Sequence, residues 1–228
     1  MISGDMFCAI IVAAGSSRRA GFDKLAAPLA GVPVLCRSVS AFAQAGAACI
    51  VIVCPQERWD SLRPWEHAGA VPVQRVPGGA RRQDSVLAGL EALPEGAQWV
   101  AVHDAARPLI TPQGIVRCLE VAQQCGAAAC AHPVVDTLKR ADAAGDTLPE
   151  PVSREHLWGM ETPQIFRVEL LRRAYAEVVR SGAEITDEVS ALELLGVATR
   201  LVQVGANMKI TLPGDLELAE LLYTHRPA

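Results

Sequence analysis

The chain of 228 residues lacks an excess of basic residues, a long apolar run and any CxxC cysteine pair. Its formal net charge of -4 argues against a general nucleic-acid binder, because binding to a phosphate backbone needs a broad excess of Lys and Arg. No uninterrupted apolar run approaches the roughly 20 residues of a membrane span, and the N-terminus shows no basic segment followed by an apolar stretch and a cleavage site. We therefore expect a cytoplasmic protein that binds neither nucleic acid nor membrane.

The seven cysteines mostly lie among Ala, Val and Ile. Isolated cysteines in apolar segments are typical of reduced thiols packed in the core of a cytosolic protein, and we prefer this interpretation to a metal site or a disulfide framework. Half of the residues are hydrophobic and 20% are charged, which excludes the disordered and fibrous classes. Without an internal repeat, linker or low-complexity segment, the chain is predicted to form one globular domain over residues 1–228.

Short β-type runs alternate with longer segments of helical periodicity. Strands are predicted at 7–13, 49–54, 71–76, 99–102, 127–133 and 199–204. Helices are predicted at 34–44, 84–93, 114–124, 169–180, 187–195 and 215–223. Several strands are apolar on both faces, as expected when a mainly parallel sheet is covered by helices on each side. The sequence thus predicts a doubly wound α/β fold.

One segment interrupts the alternation. Residues 136–158 are polar, rich in Gly, Pro and charge, and carry little apolar periodicity. A disordered loop is one interpretation, but the β-type ends of the segment favour a projecting hairpin, and we predict an arm here.

Two Gly-containing loops follow predicted strands, although neither is a Walker A loop and no GxGxxG dinucleotide motif is present. The first is AAGSSRR at residues 13–19, followed by Lys24. Its small residues would let a ligand approach the backbone N–H groups, and its cations could neutralise a polyphosphate; the alternative is a Gly turn with solvated arginines. The second is PGGARRQDS at residues 77–85, where Ser85 stands near a helix start and reads equally well as a capping residue.

A third strand ends in VHDAARP at residues 102–108. Open α/β sheets bind ligands and metal-nucleotides at this end of their strands, so Asp104 is a candidate site residue; the alternative is a loop ion pair between Asp104 and Arg107. His103 is interpreted as structural. Seven cations fall in or beside the predicted strand-end loops of this acidic chain: Arg18, Arg19, Lys24, Arg81, Arg82, Arg107 and Lys209. Their placement indicates a small polyanionic substrate, although Lys209 alone could be a solvated strand-edge lysine.

These stretches resemble the 2-C-methyl-D-erythritol 4-phosphate cytidylyltransferase family of the non-mevalonate isoprenoid pathway. The resemblance runs over nearly the whole chain and rests on seven segments in family order: AAGSSRR with Lys24, GGARRQDSVLAGL, VHDAARP, DTLKR, LWGMETPQIF, ITDEVSALE and NMKITLPGDLELAE. Each segment alone is weakly informative, whereas all seven in order are specific. The fold implied is that of the nucleotide-diphospho-sugar transferases.

The resemblance also implies roles for single residues. The nucleotide-binding residues that it implies are Ala13, Ala14, Gly15, Gly79, Ala80 and Ser85. The implied phosphate and transition-state cations are Arg19, Lys24 and Lys209. The implied acceptor contacts are Asp104, Arg107, Thr137, Arg154, Thr162 and Thr186, with Asp104 also beside the metal-bound phosphates. Some members carry Asp at the position of Ala80, so no side-chain contact is expected there. Thr137 and Arg154 would come from the arm of the partner subunit in a homodimer.

The implied reaction transfers CMP from CTP to the phosphate of 2-C-methyl-D-erythritol 4-phosphate. That phosphate is anionic at pH 7, so it can attack the α-phosphorus directly, without a protein nucleophile or general base, and Mg²⁺ with the cations would stabilise the accumulating charge. A ribitol 5-phosphate cytidylyltransferase shares the scaffold and remains an alternative. So does a catalytically silent nucleotide-binding module, which would need the base pocket but not the transition-state cations. For Thr186-Asp187-Glu188, a helix N-cap with an acidic first turn is an equally good interpretation beside any ligand role.

Overall fold

The computed structural model describes residues 5–15 and 21–226. The strands within these ranges are β1 (Met6–Val12), β2 (Pro28–Leu29), β3 (Val32–Pro33), β4 (Cys49–Val53), β5 (Val73–Val76), β6 (Ala97–Asp104), β7 (Ala127–Pro133), β8 (Lys139–Ala141), β9 (Thr147–Pro151), β10 (Trp158–Arg167) and β11 (Arg200–Val202). The helices are α1 (Val34–Gln44), α2 (Gln56–Leu62), α3 (Arg82–Glu91), α4 (Pro112–Cys125), α5 (Val168–Ser181), α6 (Glu188–Glu193) and α7 (Asp215–Thr224), with a 3-10 helix at Pro64–His67.

Seven strands form one sheet in the order β11-β7-β10-β6-β1-β4-β5. β1 runs parallel to both β4 and β6, and β5 and β11 extend the sheet in parallel at its two edges. β10 is antiparallel to both of its neighbours, β6 and β7. The predicted α/β class with a mainly parallel sheet is confirmed, and each of the six predicted strands corresponds to a strand of this sheet.

The core lies on both faces of the sheet because the central strands are apolar on both sides. Along β1, Phe7, Ala9 and Ile11 pack in the cluster that contains the buried residues of α1 and α4. The alternate residues Cys8 and Ile10 pack in the cluster that contains those of α3 and α5. This period of two residues lets one short strand support both helical layers.

Helix α5 illustrates why its segment is helical. Its buried residues recur at the spacing of one helix face, while the intervening arginines are exposed; they are Val168, Leu171, Ala174, Tyr175 and Val178. The helix ends at Gly182, whose positive φ of 69° suits a residue without a Cβ.

Strand β10 and helix α2 were not predicted. β10 is the longest strand of the sheet and carries buried polar residues, among them Glu161, Thr162 and Gln164. Helix α2 has no buried residue. The segment 136–158 contains the separate hairpin of β8 and β9 and is exposed, apart from the half-buried Leu138, Leu148 and Val152. Within the described residues, no helix is long and apolar enough to cross a membrane.

Candidate active site

Four chain segments meet beyond the carboxyl ends of β1 and β6. The loop after β1 is tied to β4 by the Ala13 N–H, which donates to the Val53 carbonyl at 2.8 Å. The Ile210 N–H donates to the carbonyl of Ala106, in the loop after β6, at 2.8 Å. Lys24 Nζ in turn donates to the Ile210 carbonyl at 2.7 Å. The predicted cations Lys24 and Lys209 are therefore brought to one edge of the sheet although they stand 185 positions apart in the chain.

The backbone of the first loop is held by an arginine of α2. Arg58 donates to the Ala13 carbonyl at 2.5 Å and to the Gly15 carbonyl at 3.4 Å, and it pairs with Asp23 at 3.1 Å. Ala13 is buried, Ala14 is half-buried and Gly15 is exposed, so solvent exposure increases along the loop from residue 13 to residue 15. The remaining cations of this loop, Arg18 and Arg19, lie outside the described residues.

The second loop packs directly against the first. A Cβ on Gly78 would lie only 2.4 Å from the Ala14 Cβ, so this approach requires glycine. The Gly79 N–H donates to Ser85 Oγ at 3.0 Å, and Ser85 Oγ donates to the Arg81 carbonyl at 3.2 Å. Ser85 is buried and braces the loop in this structure, while the neighbouring Ala80 is exposed. The N-cap of α3 is Arg81, so Ser85 does not cap the helix.

Asp104, at the end of β6, lies between two cations. Its Oδ1 accepts from Arg82 Nε at 3.1 Å and its Oδ2 from Lys209 Nζ at 2.6 Å. Burial alone would raise the pKa of Asp104, but the adjacent Arg82 and Lys209 lower the pKa well below its ordinary value, so the carboxylate is ionised. The alternative of a loop ion pair with Arg107 was wrong, since neither carboxylate oxygen contacts that guanidinium. Lys209 is likewise no solvated edge lysine.

Arg82 connects Asp104 to a second, deeply buried carboxylate. Its Nη1 and Nη2 donate to Glu188 Oε1 and Oε2 at 2.8 and 3.0 Å. Glu188 is fully buried and also accepts from the Tyr175 hydroxyl at 3.0 Å. Arg82 was predicted only as one of the seven loop cations, and its link to Glu188 was not predicted. ITDEVSALE was instead interpreted partly as a helix N-cap, which is confirmed for Asp187, whose side chain accepts from the Ser190 N–H at 2.9 Å.

His103 and Thr162 form a directed chain of hydrogen bonds behind Asp104. The Asp104 N–H donates to Thr162 Oγ1 at 3.0 Å, and Oγ1 lies 3.2 Å from His103 Nδ1. His103 Nε2 lies 3.2 Å from the Arg107 carbonyl, which can only accept, so the ring proton sits on Nε2 and Nδ1 accepts from Thr162. Burial lowers the pKa of His103 to about 3, which keeps the ring neutral. His103 is thus structural, as predicted.

Arg107 braces the segment that carries Lys209. Its Nη1 donates to the Asn207 carbonyl at 2.8 Å and its Nη2 to the Met160 carbonyl at 3.2 Å. Burial lowers the pKa of its guanidinium. The Asn207 side chain donates to Glu161 Oε2 at 2.9 Å and to the Thr162 carbonyl at 2.8 Å. The Lys209 segment is therefore anchored to β10 through both Arg107 and Asn207.

A cleft of about 350 Å³ lies beside Asp104, and Arg82 and Glu161 are part of its wall. Five of the predicted site residues contribute to its wall: Asp104, Arg107, Thr162, Thr186 and Lys209. Thr137 and Arg154 do not. Both are exposed, and Arg154 donates to the Val135 carbonyl within its own segment. One chain thus brings together part of the predicted acceptor set and leaves the two arm residues outside.

The match to known proteins covers nearly the whole chain, including the segments that form the cleft. The family model described as "IspD: 2-C-methyl-D-erythritol 4-phosphate cytidylyltransferase" matches residues 7–225. The chain belongs to this family.

Individual members of the cytidylyltransferase family align over almost their entire length. The Synechococcus sp. enzyme is 40% identical over 223 residues, which cover 95% of this chain and 96% of that protein. The Nitrosomonas eutropha enzyme is 40% identical over 233 residues, covering 96% and 97%. The crystal structure of the Thermus thermophilus enzyme is 33% identical and superposes with a TM-score of 0.76 over 95% of this chain and 98% of that one.

The side chains that line the cleft indicate which chemistry a cytidylyltransferase could carry out there. Its described lining contains two arginines, a lysine and four acidic residues, Asp104, Glu161, Asp187 and Glu193, but neither cysteine nor histidine. Such a set of fixed charges can orient and neutralise phosphate groups, whereas activated thiol or imidazole nucleophiles are missing from this described lining.

Proposed function

We propose that this chain transfers CMP from CTP to 2-C-methyl-D-erythritol 4-phosphate, giving 4-diphosphocytidyl-2-C-methyl-D-erythritol and pyrophosphate. The observation that carries the proposal is the position of Asp104, held between Arg82 and Lys209 where the strand-end loops meet the cleft, in a chain that matches the family over residues 7–225. The whole chain would act as one catalytic domain.

The nucleotide is proposed to bind across the two loops at the ends of β1 and β5. The backbone of Ala13, Ala14 and Gly15 would face the cytidine from one side and Gly79, Ala80 and Ser85 from the other. The close approach of Gly78 to Ala14 supports a narrow slot that excludes a purine. Because a pyrimidine is then identified by its hydrogen-bonding edge, UTP should leave a fixed group unpaired.

The acceptor is proposed to occupy the cleft. Its volume of about 350 Å³ suits a small ligand, and the basic side chains in its wall, Arg82, Arg107 and Lys209, could meet a phosphate. Arg107, Thr162 and Thr186 would contact the acceptor from within the chain, together with Asp104. Lys209, whose side chain is 37% exposed, can reach both its carboxylate partner and an incoming phosphate oxygen.

The chemistry needs alignment rather than proton transfer. An oxygen of the acceptor phosphate forms a bond to the α-phosphorus of CTP, while the bond from that phosphorus to the oxygen bridging to the β-phosphorus breaks. Pyrophosphate departs with the electron pair. Arg19, Lys24 and Lys209 are proposed to neutralise the charge that accumulates on the α-phosphoryl oxygens and the leaving group. Fixed cations at these positions would act mainly in the transition state.

A divalent cation, in the first instance Mg²⁺, is proposed to enter with the triphosphate. Within the described residues, no cluster of three or more His, Cys, Asp or Glu side chains is arranged to hold a metal ion. Each Asp104 oxygen accepts one hydrogen bond and keeps a further lone pair, so Asp104 fits as a single protein ligand to an ion held mainly by phosphates. Bound there, the ion would polarise phosphoryl oxygens.

The arm at 136–158 is proposed to complete the site of a partner subunit in a homodimer. Thr137 and Arg154 are exposed and lie outside the cleft wall of their own chain. The arm also carries exposed apolar side chains at its base, including Leu157 and Trp158, which a second subunit would cover. Two arms would be exchanged across a twofold axis.

Pyrophosphate release from CTP tests the proposal directly. We expect rapid release with Mg²⁺ and 2-C-methyl-D-erythritol 4-phosphate, much slower release with ribitol 5-phosphate, and none without an acceptor. Replacing CTP by UTP should lower kcat/KM by about 10-fold or more, and GTP should be inert. Faster turnover of ribitol 5-phosphate would reassign the acceptor. Binding of CTP without pyrophosphate release from any acceptor would identify a silent nucleotide-binding module instead.

A further inference from the structure

Glu188 is a buried carboxylate with three hydrogen-bond donors. Arg82 supplies two of them, at 2.8 and 3.0 Å, and the Tyr175 hydroxyl supplies the third at 3.0 Å. Its backbone N–H donates to Gln164 Oε1 at 3.1 Å, which fixes the first turn of α6 on β10. Because Glu188 has no exposed surface, it cannot touch a substrate in the cleft. A buried charge is costly, so a carboxylate without a stabilising partner would be unfavourable at this position.

The geometry of the guanidinium transmits the position of Glu188 to the cleft. Both terminal nitrogens of Arg82 are occupied by one carboxylate, which fixes the plane of the group. In that plane Arg82 Nε points to Asp104 Oδ1 at 3.1 Å, while Lys209 holds the other oxygen. Arg82 is also 27% exposed at its side chain and lines the cleft. The orientation of Asp104 is thus determined by two partners, of which only Arg82 is anchored in the core.

We infer that Glu188 is a positioning residue for CMP transfer, which acts through Arg82 to hold Asp104 and Lys209 in their working arrangement. The inference rests on the proposed function. In Glu188→Gln an amide replaces the carboxylate, so the Arg82 guanidinium keeps its charge but loses the two-point bond that anchors it. It can then turn its terminal nitrogens toward Asp104 and draw that carboxylate from Lys209. The loss should appear in kcat, because the nucleotide loops at 13–15 and 78–79 are held by other contacts.

The first experiment compares two glutamates that each make a two-point bond with an arginine. Glu188→Gln should lower kcat about 10-fold to 100-fold while the Kd for CTP, measured by calorimetry, changes by less than about threefold. Glu177→Gln is the matched control, since Glu177 pairs with Arg180 at 2.6 and 2.8 Å on the outer surface of α5 and should leave kcat unchanged. A Glu188→Gln enzyme with wild-type kcat would overturn the inference.

A double-mutant cycle with Arg82→Gln separates positioning from general support of the fold. If Glu188 acts through Arg82, the double variant should be no slower than Arg82→Gln alone. Its thermal midpoint without metal or nucleotide should exceed that of Arg82→Gln, because the unpaired buried carboxylate has been removed. Losses in kcat that multiply in the double variant would show that Glu188 acts independently of Arg82 and contradict the inference.

Tyr175→Phe keeps the test decisive if Glu188→Gln does not fold. It removes one of the three donors and leaves the carboxylate paired, so kcat should fall about threefold in the wild-type background and not at all in the Arg82→Gln background. An unchanged kcat in the folded wild-type background would count against the inference. Failure of the wild-type enzyme itself to release pyrophosphate would instead refute the proposed function.

Discussion

At the scale of single residues, the buried imidazole of His103 links stability to pH. Burial lowers its folded-state pKa to about 3 from 6.5, so between these values the unfolded chain binds more protons than the folded one. The contribution to stability is fully present above pH 6.5 and is lost as the pH falls toward 3. From pH 6.5 to 5 this residue should lower the free energy of unfolding by about 2 kcal/mol.

Urea unfolding at the two pH values measures this loss. His103→Asn removes the titrating group, so its free energy of unfolding should change less over the same interval, whatever its absolute stability. An equally steep pH dependence in the variant would show that other groups cause the effect.

A second residue-scale prediction concerns Lys24. Its ammonium donates to the Ile210 carbonyl beside Lys209, which places both cations where phosphate charge is proposed to accumulate. Lys24→Ala should lower kcat on the order of 100-fold, as expected for loss of one preorganised stabiliser, with a smaller change in the Kd for CTP. Steady-state kinetics with calorimetry separates the two quantities. A kcat within a fewfold of wild type would identify Lys24 as a structural residue of the loop.

The sequence predicted those site residues that stand in a local motif, and it did not predict contacts between distant segments. Asp104 and Lys209 were found because each stands in a recognisable loop, and they do form an ion pair across 105 positions. The connection from Arg82 to Glu188 spans 106 positions and carries no local signature. A glutamate just after Asp187 looks like part of an acidic first turn, so only the packing of α6 on the sheet reveals its burial.

At the scale of elements, the contact between the two nucleotide loops gives a third prediction. Gly78→Ala would place a Cβ 2.4 Å from the Ala14 Cβ, and neither atom can rotate away, so the loop backbones must separate. The Kd for CTP should rise about 10-fold, and stability should fall by about 1–3 kcal/mol. Gly214→Ala is a suitable control because its Cβ would meet nothing within 4 Å and its φ is -72°. Equal CTP affinity in both variants would argue against a slot formed by these loops.

The elements that the sequence predicted are those whose apolar pattern is set by the core. β1, β4 and β7 are nearly continuous apolar runs, and α5 shows a single buried stripe. β10 escaped prediction because Pro163 and the polar residues Glu161, Thr162 and Gln164 interrupt its apolar pattern, and these polar groups serve the cleft instead of the core. Helix α2 escaped because it buries none of its residues, although its Arg58 secures the first loop.

At the scale of the whole molecule, a fourth prediction tests the shared site. If each site takes Lys24 from one chain and Arg154 from the other, Lys24→Ala and Arg154→Ala homodimers should both be inactive. In their heterodimer one site collects both lesions and the other neither. After random subunit exchange at equal amounts, half the dimers are mixed and half of their sites are intact, so activity should return to about a quarter of wild type.

The matched control mixes two lesions that one chain holds close together. Lys24 and Lys209 are joined through Ile210 within a single chain, so a heterodimer of Lys24→Ala and Lys209→Ala has one lesion in every site and should stay inactive. The subunits must be exchanged through dissociation or co-expression. Verified heterodimers of Lys24→Ala and Arg154→Ala that are no more active than their parents would show that Arg154 acts within its own chain or not locally.

The central claim is a single direct displacement at the α-phosphorus of CTP by the phosphate of 2-C-methyl-D-erythritol 4-phosphate. The most direct measurement uses a CTP analogue with one oxygen of the α-phosphate replaced by sulfur in a defined configuration, and determines the configuration of the product. One in-line attack without a covalent enzyme intermediate predicts inversion at phosphorus, with one pyrophosphate released for each product formed. Retention of configuration, or pyrophosphate release without a cytidylylated acceptor, would contradict the account.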